Sequence, residues 1–248
     1  MRTELVVFVA VLGLALLSMP IYALSGARAR PDPFKAAEEG TFVLGSFVRD
    51  WFYWFVGPVE RTSLALGLGP LFYNLSGVFF GVVAGALFAS GRMAAGGWAV
   101  LLGGVADILD GRIARARGMA SLRGAFLDSS LDRFAEVAAF VGLALWFRSS
   151  DPALLAVVTA LGGSLLVSYT RARGESVGVL CKLGVMQRAE RLMLLGFGGI
   201  LDPTLTQALG RSAPGALLAP VVGIIAVGTL GTAVFRTVWI ARRLPEVD

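Results

Sequence analysis

The chain has 248 residues, 56% of them hydrophobic and 16% charged, with a net charge of +5, one cysteine and no histidine. A soluble domain carries about 25% charged residues, so the composition excludes an ordinary water-soluble fold and indicates an integral membrane protein without a second soluble module. The missing histidine excludes a histidine base, nucleophile or zinc ligand; the lone Cys181 excludes an intrachain disulfide; and no polar domain exists to present a basic face to nucleic acid.

In chain order, residues 4–24 form a first apolar run, and roughly 20 such residues span a bilayer. Arg2 is offset by Glu4, while Arg28, Arg30 and Lys35 follow the run. That charge order favours an uncleaved span with its N-terminus outside over a removed signal peptide. Residues 28–40 read as a polar linker. Residues 47–66 are aromatic-rich with interspersed charges, as expected of an amphipathic helix at the interface, with Trp51 and Trp54 at headgroup level. Further spans are expected at 70–91, 95–115, 124–147, 152–171, 190–209 and 214–241. The expected fold is an all-α integral membrane protein. It has a six-span helical bundle at 46–248, opened by the interfacial helix, and an extra N-terminal transmembrane helix and linker at 1–45. Glycine-rich stretches at Gly77–Gly85 and Gly223–Gly231 suggest close helix packing.

If the 112–123 loop is cytoplasmic and the spans alternate, nearly all of the 22 Lys and Arg fall on that side. The exceptions are Arg2, Arg92, Arg148 and Arg211 on the far side and Arg133 within a span. This asymmetry orients the chain and predicts a multi-pass protein of the cytoplasmic membrane.

The chemistry concentrates between Asp107 and Asp132. Asp107 and Asp110 are three apart, Asp128 and Asp132 four apart, so each pair shares one side of its helix. Ionisable groups at membrane depth are costly and usually functional. Four carboxylates without His or Cys select a hard cation, Mg²⁺ or Mn²⁺, and two helices with two Asp each suit two ions. Such ions clamp the oxygens of a displacement at phosphorus. The bland alternative pairs these acids with Arg112, Arg115, Arg117, Arg123 and Arg133 to stitch a helical hairpin, but burying four acids for stability alone returns little.

The pattern Asp107-x2-Asp110-Gly111-x2-Ala114-Arg115-x8-Gly124-x3-Asp128-x3-Asp132 resembles the signature of the CDP-alcohol phosphotransferase family at all eight specified positions. The resemblance extends loosely over residues 47–243. It implies an enzyme that moves a phosphatidyl-type group from a CDP-linked lipid to an alcohol, releasing CMP, and a homodimer. By that resemblance Asp107, Asp110, Asp128 and Asp132 contact metal, Asp132 is also the general base, and Gly111, Ala114, Arg115 and Gly124 border the CDP moiety. Asn74 stands roughly where family members carry a Pro-Asn-x-x-Thr stretch and is a further candidate nucleotide contact.

A second basic cluster bears on the acceptor. Several arginines around one pocket suit a phosphate, so the acceptor is expected to be phosphorylated. The runs DSSLDR, YTRARGE and QRAER resemble the branch of phosphatidylinositol phosphate and archaetidylinositol phosphate synthases. They imply that Ser130, Arg133, Arg173, Arg188 and Arg191 hold inositol 1-phosphate. The alternatives are glycerol 3-phosphate, then serine or free inositol, as acceptor, a carboxylate-lined cation transporter and a scaffold with an inactive copy of the motif. The Asp residues near span ends and the missing internal repeat weigh against a transporter.

Overall fold

A computed structural model describes residues 3–25 and 45–245. The linker expected at 28–40, and with it Arg28, Arg30 and Lys35, lies outside the described residues, as does Arg2. The described residues form helices and turns without a strand. The helices are α1 (Thr3–Leu24), α2 (Gly45–Ala65), α3 (Pro70–Ala89), α4 (Met93–Ala116), α5 (Leu122–Phe147), α6 (Asp151–Ser176), α7 (Arg188–Ala208) and α8 (Leu218–Ala241). Long apolar runs fold this way because a helix satisfies its own backbone groups where no water can.

Every expected segment is a helix, but five of the described helices are long and apolar enough to cross a membrane: α1, α3, α4, α6 and α8. The expected spans α5 and α7 have the length, 26 and 21 residues. They also carry Asp128, Asp132, Arg133 and Glu136 on one, and Arg188, Glu190, Arg191 and Asp202 on the other. Two boundaries shift. α6 continues to Ser176, five residues past the expected end, which puts Arg173 on its last turn. α8 starts at Leu218, because Pro214 and Gly215 (φ 118°) form a turn before it.

The chain divides into two units, and the division runs through α3, α4 and α5. The first comprises Met1–Gly77 and Val105–Asp132, the second Val78–Gly104 and Arg133–Asp248.

In the first unit α1 rests on α2. Trp51 Nε1 donates to Ser18 Oγ at 2.8 Å, and the Tyr22 ring lies 5.7 Å from those of Phe47 and Trp54. Beyond these contacts α1 exposes Leu14, Leu17 and Ile21, as suits a helix facing lipid. The aromatic-rich segment forms the helix α2. Its Val56 packs with Tyr73, Ala106, Leu109 and Ile113, flanked by Phe52, Phe55 and Leu64.

The second unit packs by close helix approach. A Cβ on Gly142 of α5 would fall 2.0 Å from the Gly85 carbonyl oxygen of α3, and one on Gly97 of α4 would fall 2.4 Å from that of Gly196 in α7. Small residues permit such backbone proximity. The expectation holds for Gly81 and Gly85 but not for Gly223 and Gly231, which have nothing within 4 Å. The apolar core includes Phe88, Phe140, Leu143, Leu218, Val222 and Ile225.

Two buried charges brace this unit. Asp202 of α7 is fully buried, and its carboxylate accepts from the backbone N–H groups of Gly215 (2.8 Å), Leu217 (2.8 Å) and Leu218 (3.0 Å) and from Thr206 Oγ1 (3.2 Å). It therefore caps the start of α8, which has no side-chain cap of its own. Arg236 counts among the basic residues of the expected cytoplasmic side. It lies buried within α8, where Nε donates to Leu183 O at 2.7 Å and Nη1 to Val167 O at 2.9 Å.

Candidate active site

The carboxylate motif is built by one turn. α4 is closed by Gly118 (φ 64°), two residues past its end, where Gly118 N donates to Arg115 O and Met119 N to Ala114 O at 2.8 Å. This is the paired closure of a helix that stops on a left-handed glycine. Three residues later Ser121 starts α5, its Oγ accepting from Gly124 N at 3.1 Å. Asp110 stands six residues before the end of α4 and Asp128 six after the start of α5. At 1.5 Å rise per residue the two acids lie at the same level above the turn.

The side chains meet accordingly. Carboxylate oxygens of Asp107, Asp110 and Asp128 all lie within 4.8 Å of one another. Asp110 is 4% exposed and its Oδ2 has no hydrogen-bond partner, while Asp107 and Asp128 are half-buried. Three acids this close repel unless a cation or proton sits among them. An all-oxygen donor set with a buried free lone pair fits a hard divalent ion. Asp132 stands one turn deeper on α5, half-buried, and does not belong to the group of three.

Gly111 adds an independent observation. A Cβ there would meet nothing closer than the Arg115 guanidinium, at 3.5 Å, and its φ is not positive. Neither packing nor backbone geometry requires glycine at this helical position, where it costs about 1 kcal/mol relative to alanine. A ligand that approaches the backbone beside Asp110 would require it. Ala114 and Arg115 share the half-buried end of α4. Gly124 is tighter, since a Cβ would sit 3.3 Å from Ser121 Oγ.

The other expected site residues are distributed as follows. Asn74, in the first unit, turns its amide to Pro70 O of its own helix at 3.3 Å. Ser130 is half-buried on α5. In the second unit Arg133 and Arg188 are half-buried, and Arg173 is exposed with Nη1 on Ser176 Oγ at 3.2 Å. Arg191, 3% exposed, is held by Glu136 and by Met186 O. Sequence reasoning passed over Glu136 and Glu60, the acids that hold Arg191 and Arg112, because their partners lie 55 and 52 residues away.

Comparison with known proteins finds relatives of this chain. The model of the CDP-alcohol phosphatidyltransferase family matches residues 71–201. The chain is 36% identical to a phosphatidylinositol phosphate synthase of Streptomyces avermitilis over 219 residues, covering 84% of this chain and 87% of that protein. Its fold is similar to the crystal structure of Mycobacterium tuberculosis phosphatidylinositol phosphate synthase with CDP-DAG bound, at TM-score 0.65 and 30% identity, over 74% of this chain and 92% of that one. The same mycobacterial enzyme in complex with manganese and citrate gives a TM-score of 0.64 at 30% identity, over 74% and 88%. With the motif complete, three of its four acids gathered and more than half of the chain matched, the protein belongs to the CDP-alcohol phosphatidyltransferase family, the transferases of phospholipid biosynthesis.

Proposed function

We propose that this protein transfers the phosphatidyl-type group of a CDP-linked lipid to a hydroxyl of inositol 1-phosphate. The acceptor oxygen forms a bond to the lipid-side phosphorus, the pyrophosphate P–O bond breaks, and CMP leaves with the bridging oxygen. Asp132 takes the proton of the attacking hydroxyl; its place on α5, one turn from Asp128, keeps a carboxylate base near the reacting groups. Asp107, Asp110 and Asp128 would hold Mg²⁺ or Mn²⁺, with Asp132 beside a second ion. When bound, such an ion neutralises charge on the pyrophosphate and at the attacked phosphorus. Gly111, Ala114, Arg115 and Gly124 leave room for the CDP moiety, and Asn74 is a secondary contact. The observation that carries the reading is the gathering of three carboxylates beside a glycine that packing does not demand.

For the acceptor phosphate we propose Arg133, Arg173 and Arg188, with Ser130 one turn before Arg133 on the same helix. Arg191 supports them from its buried pair with Glu136. The inositol phosphate reading is supported by the names of the Streptomyces and Mycobacterium relatives. From the distribution of basic residues we place the site at the cytoplasmic face of a six-span membrane domain, and we expect a homodimer.

The test is CMP release by purified protein supplied with CDP-diacylglycerol, Mg²⁺ and one acceptor: inositol 1-phosphate, glycerol 3-phosphate or serine. Release with inositol 1-phosphate alone, abolished by Asp132→Asn, is expected. Release with glycerol 3-phosphate alone would keep the reaction and overturn the acceptor.

A further inference from the structure

Helix α2 contributes no residue to the proposed chemistry, yet the turn that carries Asp110 is clamped to it. Arg112 follows Gly111 directly. Its Nε donates to Glu60 Oε2 at 2.6 Å, with both side chains nearly buried (11% and 12% exposed), and its guanidinium carbon lies 4.8 Å from the centre of the Tyr53 ring. Just beyond the end of α4, Arg117 donates to the carbonyls of Leu64 in the last turn of α2 (3.2 Å) and of Gly67 just after it (3.0 Å). Ser63 of α2 is hydrogen-bonded to Tyr73.

The register of α4 explains why this matters. Ala106, Leu109 and Ile113 form the stripe that packs with Val56 and Tyr73. Asp107, Asp110 and Ala114 form the same stripe moved by one residue, about 100° round the helix. A rotation of this turn by one residue would exchange an apolar stripe for the acidic one. Apolar packing alone resists such rotation softly, because Leu, Ile and Ala slide past similar surfaces. A short, nearly buried, charge-assisted hydrogen bond has one good geometry. Buried ion pairs return little net stability, and setting a unique arrangement is their best-attested use.

We propose that Glu60 is a positioning residue for the metal-binding turn: through Arg112 it fixes the rotation of the end of α4, so that Asp107 and Asp110 are presented to Asp128. This rests on the reading above that those three carboxylates hold a divalent ion.

The experiment titrates Mn²⁺ alone into the purified full-length protein, followed by electron paramagnetic resonance, beside thermal unfolding without metal. Glu60→Gln should weaken Mn²⁺ binding by roughly three- to tenfold, less than the 10–100-fold typical of groups bonded directly to a ligand. The reversed pair Glu60→Arg with Arg112→Glu should recover most of that loss. In turnover, kcat should fall while KM for the CDP-lipid changes little. If Glu60→Gln fails to fold, Glu60→Asp, whose shorter arm cannot reach the same geometry, stands in for it. Wild-type Mn²⁺ affinity in the folded Glu60 variant, with Asp110→Asn binding poorly, would overturn the positioning role and leave the site intact. Unchanged binding in both Glu60→Gln and Asp110→Asn would remove the metal site itself, and the positioning role with it.

Discussion

Glu136 of α5 grips Arg191 of α7 at two points, Nε to Oε1 at 2.7 Å and Nη2 to Oε2 at 3.1 Å, while Nη1 donates to Met186 O at 3.3 Å. At 3% and 9% side-chain exposure this pair has no water to replace a lost partner. Arg191→Met leaves a buried carboxylate, at a cost of about 3–5 kcal/mol. The thermal midpoint in detergent should fall by roughly 10 °C. Arg173→Met, at an exposed arginine, should leave that midpoint unchanged and raise KM for the acceptor. Equal effects of both variants on acceptor KM, without loss of stability, would show that the buried pair is not what holds Arg191.

Asp110 is the most buried of the gathered acids. Asp110→Asn should reduce CMP release by more than about a hundredfold, since changes to groups that only hydrogen-bond a ligand reach that scale, and should lower Mn²⁺ affinity in the same titration. Chelation with EDTA should abolish activity in the wild type, and added Mg²⁺ or Mn²⁺ should restore it. Activity that survives exhaustive chelation would contradict a metal-dependent reaction.

Gly111→Ala separates fold from function. The new methyl meets only the Arg115 guanidinium, at ordinary contact distance, and alanine is the better helix former by about 1 kcal/mol. The thermal midpoint should hold or rise. Release of CMP should drop more than about tenfold, equivalent to about 1.4 kcal/mol of transition-state stabilisation. A fully active, stabilised variant would show that nothing approaches the backbone there.

Gly142→Ala inverts this pattern. Its methyl would collide with the Gly85 carbonyl group, a backbone contact that no side-chain rotation relieves. Overpacking of this kind costs about 1–3 kcal/mol. Gly223→Ala, inside α8 with open space around it, should be neutral or stabilise by up to about 1 kcal/mol, as alanine is the better helix former. Thermal unfolding of the two variants side by side checks the difference.

The contrast between these glycines shows what the sequence conveys. Periodic features were legible: apolar length located the helices, and the spacing of Asp107, Asp110 and Asp128 around one short turn placed them together, because helix pitch converts spacing directly into position. Pairings across the chain were not legible. Arg112 reads as a hairpin stitch or a flanking charge, and Arg191 as a phosphate ligand or a flanking charge. Their partners Glu60 and Glu136 are chosen by helix packing, which no local pattern encodes. Asp202 and Arg236 escaped for the same reason, since each works on backbone groups of a neighbouring segment whose side-chain identities are irrelevant to the contact.

Asp202 has an implication for how the C-terminal hairpin assembles. The amides it receives, those of Gly215, Leu217 and Leu218, become available in the right arrangement only when the 209–217 link has its present length. The last helix therefore cannot choose its own starting residue. It inherits that point from the one before it, and the two must pack as a matched pair. One residue added to or removed from the link would shift the whole of α8 along its axis by about 1.5 Å, and round by about 100°, or strand a carboxylate in an apolar interior. The link thus behaves as a measured spacer, and length variation there should be tolerated far less than its exposed position suggests.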